Sequence, residues 1–507
     1  MSLIKHSLNV GVLTFVSRMF GYIRDAFVAF ALGAGPINDA FIIALRLPNL
    51  FRSLFAEGAF TSSFVPLYSA MADKSKTNAN KFSNLVRTWL VLLLVVFTIF
   101  MMTFMPEVVA IIAPGYIDNE QIFDLMVTLS RISFPYIVFM SFVAFYGGML
   151  NSYGKYYAFA ASPIIMNLVI ISSVLFMDMG ETPAHALSFG VVASGIFQLL
   201  WMIYFAKKTN LLNFKFVYPA ATPELKLMFK RLLPAMMGSG TAQINVFVTS
   251  ILASYVVGGI SYIYYADRIY QLPLAIIGTA VGTVLLPILA REYQAKNPQQ
   301  AIKTKNDAIE FCALFTIPAA IGLIVLAEDI VCLLFERGEF SNMATVETAK
   351  ALTVFAFGLP SFVLYKIISS SFFAAGDTKT PVKIAMLSLL INILISISLL
   401  STFKHVAIAI GAVTASWISF FILLKITLDN KRYQFNEKTN LKVLKFIASG
   451  LMMMVLLMVL EFFTLGIPVY ISIPLEIGIG AAAYLYFCYM FKAISKQDIT
   501  NIFRKIA

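Results

Sequence analysis

Ten ionisable side chains stand out in stretches apolar enough to lie in a bilayer. Arg18, Arg24 and Asp25 occupy the first such stretch, and Asp39, Arg46, Arg52 and Glu57 the second. Asp267 and Arg268 follow near the middle of the chain, and Lys366 further on. An ionised group near the centre of a membrane costs on the order of 2.5–3.5 kcal/mol even on lenient scales, so it faces a wet cavity or a partner. Mutual pairing would make these residues struts between helices. Six of the ten are basic and four acidic, however, and the surplus cations call for an anionic visitor. A guanidinium presents a planar fork of donors that matches phosphate oxygens. The chemistry these residues suit is recognition of a phosphate-bearing group inside the membrane, not bond making.

Their spacing refines this. Arg18 and Arg24 are six positions apart, about 120° off alignment on a helix, so they flank one broad face. Arg24 and Asp25 are neighbours, which on a helix do not face each other, and Asp25 is expected to pair elsewhere. Arg46 and Arg52 repeat the six-residue spacing on either side of Pro48. Motifs for other chemistry do not occur: there is no phosphate-cradling Walker loop, dinucleotide glycine fingerprint, His-Glu-x-x-His or Cys-x-x-Cys run. His6, His185 and His405 fall at helix ends or outer loops and cannot gather on a metal. Cys312 and Cys332, on one expected helix, cannot pair. The expectation is no enzyme, no metal, no cofactor and no ATP hydrolysis, with transport drawing on a gradient or the membrane potential.

The elements that must hold these charges are membrane helices. Of 507 residues, 60% are hydrophobic and only 13% charged, and the mean hydropathy is +0.84. About 20 apolar residues cross the hydrocarbon as a helix, and only helices or closed barrels satisfy their backbone there. The pattern predicts an all-α polytopic membrane protein with 14 transmembrane helices. They are placed near 6–32, 38–70, 88–112, 123–150, 157–177, 184–206, 226–256, 261–290, 308–333, 348–375, 381–401, 407–428, 443–464 and 471–492. The second, with Pro48, Arg52, Glu57 and Pro66, is expected to be bent or interrupted. Over these spans 28 of the 38 basic residues fall on one side and 4 on the other, with six inside. That bias places both termini in the cytoplasm. It also accounts for the +12 net charge without nucleic acid.

The chain echoes itself. Pro135, Asn151 and Asn167 recur as Pro360, Gly376 and Asn392, 225 positions later. Ala44–Arg46 and Pro66 recur as Ala266–Arg268 and Pro287, at offsets of 222 and 221. Six helices separate the copies, so both halves start on the same side, as in transporters built from parallel repeats. The expected organisation is two six-helix bundles related by a pseudo-two-fold axis, residues 1–215 and 216–435, with two extra helices in 436–507.

Several motifs resemble the bacterial lipid II flippase family (MurJ, formerly MviN). They are Ser17–Asp25 (SRMFGYIRD), Asn38–Phe41 (NDAF), Arg46–Phe60 (RLPNLFRSLFAEGAF), Ala266–Pro273 (ADRIYQLP), Phe335–Gly338 (FERG) and Gly376–Pro381 (GDTKTP). The resemblance covers nearly the whole chain. It implies a member of the multidrug/oligosaccharidyl-lipid/polysaccharide exporter superfamily in the bacterial inner membrane. Such a protein moves the lipid-linked peptidoglycan precursor, lipid II, from the inner to the outer leaflet by alternating access. It implies Arg18, Arg24, Asp39, Arg52 and Arg268 as substrate-binding residues, with Asp25, Glu57, Asp267 and Lys366 in support. It also implies a groove for the polyprenyl tail in the last two helices, membrane lipids as surroundings and cell-wall synthesis enzymes as candidate partners. Some relatives use sodium, but helices seven, eleven and twelve here hold no carboxylate for it. The alternatives are a flippase for another polyprenyl-linked saccharide and a non-transporting scaffold for cell-wall synthesis.

Overall fold

The computed structural model describes residues 2–53, 59–178, 180–212, 215, 217–430, 436–464 and 466–495, and every regular element among them is helical. The chain divides into two compact units, residues 1–261 with 337–340, and 262–336 with 341–507. The first contains α1 (Ser2–Leu32), α2 (Pro36–Arg52), α3 (Phe60–Lys74), α4 (Lys76–Thr103), α5 (Met105–Ile112), α6 (Glu120–Ser133), α7 (Tyr136–Ser152), α8 (Tyr157–Ser173), α9 (Pro183–Lys208) and α10 (Pro223–Ser254). The second holds α11 (Gly259–Gln294) except its first turn, α12 (Pro298–Val325), α13 (Ala327–Phe335), α14 (Asn342–Ala374), α15 (Lys379–Phe403), α16 (Val406–Asp429), α17 (Glu437–Thr464) and α18 (Val469–Met490).

Local chemistry sets the breaks. Ser75 ends α3 and caps α4, its hydroxyl accepting from the Asn78 amide. Thr222–Pro223 and Asn297–Pro298 open α10 and α12 with a capping side chain followed by proline at the first helical position, where proline's missing N–H costs nothing. The second expected span contains α2 and α3, with Pro48 inside α2 and Pro66 inside α3; the expected interruption falls on residues 54–58, which lie outside the described residues. Two expected spans are each split near one end. The third runs as α4 and then α5, the ninth as α12 and then α13, so Cys312 and Cys332 sit on successive helices, both free.

Among the described residues, ten spans are long and apolar enough to cross a membrane. They correspond to ten of the fourteen expected. The other four are α1, α2–α3, α10 and α11, and three of these carry the intramembrane arginines.

The internal repeat is visible in the elements themselves. Helices α4 and α12 both have 28 residues and begin 222 positions apart. The spans Glu120–Ser152 and Asn342–Ala374 both have 33 residues at the same offset. Short α5 and α13 follow α4 and α12 in the same register. Helices α17 and α18 have no counterpart.

In the first unit α1 packs on α8, α2 on α6, and α9 on α7 and α8. Stacked Phe60, Phe64, Tyr68 and Phe82 fill the space between α3 and α4. In the second, α16 packs on α14 and α15, while α12 carries α17 and through it α18. Met453, Leu457, Tyr484 and Cys488 bury the inner faces of α17 and α18 with Ile317. The opposite face of α17, with Leu451, Met452, Val455 and Met458, is exposed, as a lipid-facing helix requires.

Candidate functional site

Helix α1 positions two of the expected residues and pairs them with each other. Arg24 and Asp25 are both buried, 5% and 2% exposed. The guanidinium donates to Asp25 Oδ1 from Nε at 3.1 Å and from Nη2 at 2.6 Å. This corrects the expectation that neighbouring side chains on a helix cannot meet: the arginine is long enough to fold back onto the adjacent carboxylate. Its third nitrogen, Nη1, donates to Asn167 Oδ1 on α8 at 3.2 Å, and the Asn167 amide donates to the Ser17 carbonyl at 3.0 Å. Asn167, singled out in sequence only as a repeat position, thus holds Arg24 and the backbone of α1 together. Arg18, 6 residues before Arg24, is exposed and makes no hydrogen bond or ion pair among the described residues.

The arginines of α2 donate to side-chain oxygens nearby. Arg46 donates to Ser250 Oγ on α10 at 2.8 Å, and half-buried Arg52 donates to Asn49 Oδ1 at 3.0 Å. Glu57 lies outside the described residues.

Asp39 is placed differently from the arginines. It is fully buried in the first turn of α2. Its Oδ1 accepts from the Ser261 amide at 2.8 Å and hydroxyl at 2.5 Å, and its Oδ2 from the Tyr116 hydroxyl at 2.6 Å. The Gly258 amide in turn donates to the Tyr116 oxygen at 3.3 Å. One residue earlier, the Gly115 amide donates to Ser254 Oγ at 3.0 Å. A Cβ on Gly115 would stand 2.4 Å from the Ser254 carbonyl oxygen, so only glycine fits this approach. A matching contact lies nearby: the Glu339 amide donates to the Phe30 carbonyl at 3.0 Å. Gly338 precedes that amide at φ +62°, and a Cβ there would come within 2.4 Å of the Phe30 oxygen. Tyr116 and Ser261 carried no signal in sequence beyond the Pro114-Gly115 and Gly258-Gly259 breaks beside them.

In the second unit Arg268 donates to the Tyr264 hydroxyl from Nη2 at 3.2 Å and lies 5.3 Å over that ring. Asp267 accepts from Gln271 one turn on. Lys366 is exposed on α14, and a Cβ on Gly278 of α11 would be 3.7 Å from its Nζ. Gly278 leaves room there for an amine. One buried acid escaped the sequence reading. Glu476 on α18 is 1% exposed, accepts from Thr464 Oγ1 at 2.5 Å, and leaves Oε2 without a partner among the described residues. Its signal was a lone carboxylate in an otherwise apolar helix.

A profile of the MurJ family, described as "Lipid II flippase MurJ", matches residues 28–476. A "Probable lipid II flippase MurJ" from Rickettsia prowazekii is 36% identical over 509 residues, covering 99% of this chain and 100% of that protein. The protein of the same description from Rhizobium meliloti is 41% identical over 429 residues, covering 83% and 80%. Among solved structures, "Lipid II flippase MurJ, inward closed conformation" is similar with a TM-score of 0.81 at 28% identity, covering 95% of this chain and 98% of that one. The fold extends to an inward-facing MATE family multidrug transporter, with a TM-score of 0.65 at 13% identity over 83% and 99% of the two chains. Matched by the family profile over most of its length and by relatives above 30% identity nearly end to end, this multi-pass membrane chain belongs to the MurJ family of lipid II flippases.

Proposed function

We propose that the protein flips lipid II from the inner to the outer leaflet of the bacterial cytoplasmic membrane, with its intramembrane arginines binding the diphosphate. The observation that carries this reading is Arg18: a cation on a membrane helix, exposed and without a partner among the described residues. Such a group is stable in a membrane protein only beside water or an anion. A diphosphate entering its reach exchanges hydration for charge-assisted hydrogen bonds, which offsets the cost of leaving water. Arg46, Arg52 and Arg268, oriented by Ser250, Asn49 and Tyr264, supply further forks.

Translocation proceeds by alternating access, without ATP hydrolysis. The membrane potential, negative inside, favours outward movement of the anionic head by about 2.3 kcal/mol per charge per 100 mV. The bonds of Asp39, Gly115 and Glu339 tie helix ends together within the first unit.

The test is a leaflet-accessibility assay in proteoliposomes with labelled lipid II, with and without an imposed potential. Arg18→Ala and Arg268→Ala should insert normally and lose flipping. Normal flipping by both variants would refute the arginine reading, and flipping insensitive to potential would refute the driving force.

A further inference from the structure

Within the first unit, α3, α4, α7 and α10 enclose a slot of about 260 Å³. Its walls are apolar, with Leu90, Leu94 and Phe97 of α4 facing Met228 and Leu232 of α10. The polar atoms on its lining are already engaged. Ser141 donates to the Ile137 carbonyl at 2.8 Å, and Trp89 Nε1 donates to the Ala220 carbonyl at 3.4 Å. A buried water needs two to four polar partners, and this slot offers none to spare. It is therefore a place for hydrocarbon, and exposed Leu93 on its rim leads out to the lipid-facing surface of α4.

Length and charge identify the chain that enters. From Val86 to Phe97 the slot follows α4 for about 16 Å, roughly half the hydrocarbon thickness of a bilayer. That suits one acyl chain of a single leaflet and is far too short for a long polyprenyl tail. Its basic end carries Lys226, Lys230 and Arg231 of α10, all exposed, one turn or less from Met228 and Leu232. Trp89 at the same level is a residue type enriched at the headgroup boundary. Apolar walls under a cationic rim match an anionic amphiphile.

We propose that this slot binds a phospholipid with an anionic headgroup, one acyl chain between α4 and α10 and the phosphate at Lys226, Lys230 and Arg231. The lipid would brace α10 against α3 and α4 independently of the translocated substrate.

The chain has three tryptophans, Trp89, Trp201 and Trp417. With Trp201→Phe and Trp417→Phe, Trp89 alone reports on the slot. The purified protein, reconstituted in phosphatidylcholine, is titrated with phosphatidylglycerol carrying brominated acyl chains, which quench indole fluorescence on contact, or with brominated phosphatidylcholine. The expected result is a preference for phosphatidylglycerol of about fivefold per engaged basic residue. The preference should vanish in Lys226→Gln/Lys230→Gln/Arg231→Gln while the weak quenching common to both lipids remains. Ser141→Leu, which fills the slot, should abolish the preference with the rim intact. Equal quenching by both lipids, or a preference that survives the triple substitution, would overturn the proposal. Displacement of the brominated lipid by lipid II at equimolar concentration would overturn it too, assigning the slot to the substrate tail.

Discussion

Removing Arg24 should damage the fold as well as transport, and a double substitution separates the two. The guanidinium and the Asp25 carboxylate are buried together, with side-chain exposures of 7% and 3% and a contact of 2.6 Å. Arg24→Ala removes both guanidinium bonds from the buried Asp25 carboxylate and leaves Asn167 Oδ1 without this donor. Breaking a buried pair from one side costs about 3–5 kcal/mol, most of it the penalty of the stranded charge. Asp25→Asn strands the arginine instead and should cost a similar amount, softened by the Asn167 bond, worth about 1.5–3 kcal/mol to a charged group. The double variant Arg24→Ala/Asp25→Asn strands nothing, so it should recover at least about 2 kcal/mol relative to the sum of the single costs. Equilibrium unfolding in mixed micelles measures the cycle, and lipid II flipping in proteoliposomes is measured on the same three variants. Arg24 as a phosphate ligand requires that the double variant fold well and still fail to flip. A double variant that regains flipping together with stability would reduce Arg24 to a structural partner of Asp25. Additive costs would refute the stranded-charge argument itself.

The same reasoning extends to other contacts. Tyr116→Phe removes the hydroxyl from Asp39 Oδ2 and from the Gly258 amide, so it should cost about 2–4 kcal/mol and raise exchange of the Gly258 amide in hydrogen–deuterium measurements. Gly115→Ala must push a Cβ into the Ser254 backbone. About 1–3 kcal/mol of strain is expected, with a rise in labelling by an aqueous thiol reagent of a cysteine placed at Ser254 if this end opens. His405, between α15 and α16, is 1% exposed, with Nε2 2.9 Å from the Glu347 carbonyl. Burial holds its pKa below 6.5; Lys350 and Lys404 add to this, against the Glu347 bond and carboxylate. Its contribution is thus full above pH 6.5 and lost as pH falls through the lowered value, because the unfolded chain takes up the proton first. Melting temperature should drop on acidification below pH 6.5, and His405→Gln should flatten that slope. Glu310→Gln weakens the links from α12 to Thr439 and Lys442 of α17, both 2.7 Å; with Lys442 half-exposed the cost should stay near 1 kcal/mol in the same unfolding assay.

What sequence made legible were the quantities that accumulate over many residues. Hydropathy summed over twenty positions placed the ten apolar spans, and the echo of Pro135 and Asn167 in Pro360 and Asn392 placed the repeat within a few residues of its register. Single-contact geometry was not legible. The Arg24–Asp25 pair escaped because helical spacing describes where Cβ atoms point, while an arginine's reach extends well beyond its own Cβ. Asp39 could be recognised as a costly charge, but its donors, Tyr116 and Ser261, lie 77 and 222 residues away. Neither is a residue type that draws notice alone. The division of the chain by contacts was hidden for the same reason. By repeat α10 opens the second half, yet it packs on α3, α4 and α5.

The repeat gives those distant contacts a common origin. Asp39 and Ser261 are 222 positions apart and so occupy equivalent places in the two copies, at the first turns of α2 and α11. They bond directly to each other. The Gly115 turn rests on Ser254 at the end of α10, and the Gly338 turn rests on Phe30 near the end of α1. Shifting Gly115 by 222 gives Arg337, beside Gly338, and shifting Phe30 gives Leu252, two residues before Ser254. Each copy therefore lends a glycine turn to the first helix of the other, and both turns admit no Cβ. A duplicated chain acquires such contacts in pairs, which explains why two glycines far apart in sequence carry the same steric demand. The symmetry is not carried over to the arginines. Arg46 has Arg268 as its equivalent, but Arg18, Arg24 and Arg52 correspond, at the same offset, to Gly240, Val246 and Leu274. The glycine turns thus draw on both copies, whereas three of these five arginines have no basic equivalent in the second.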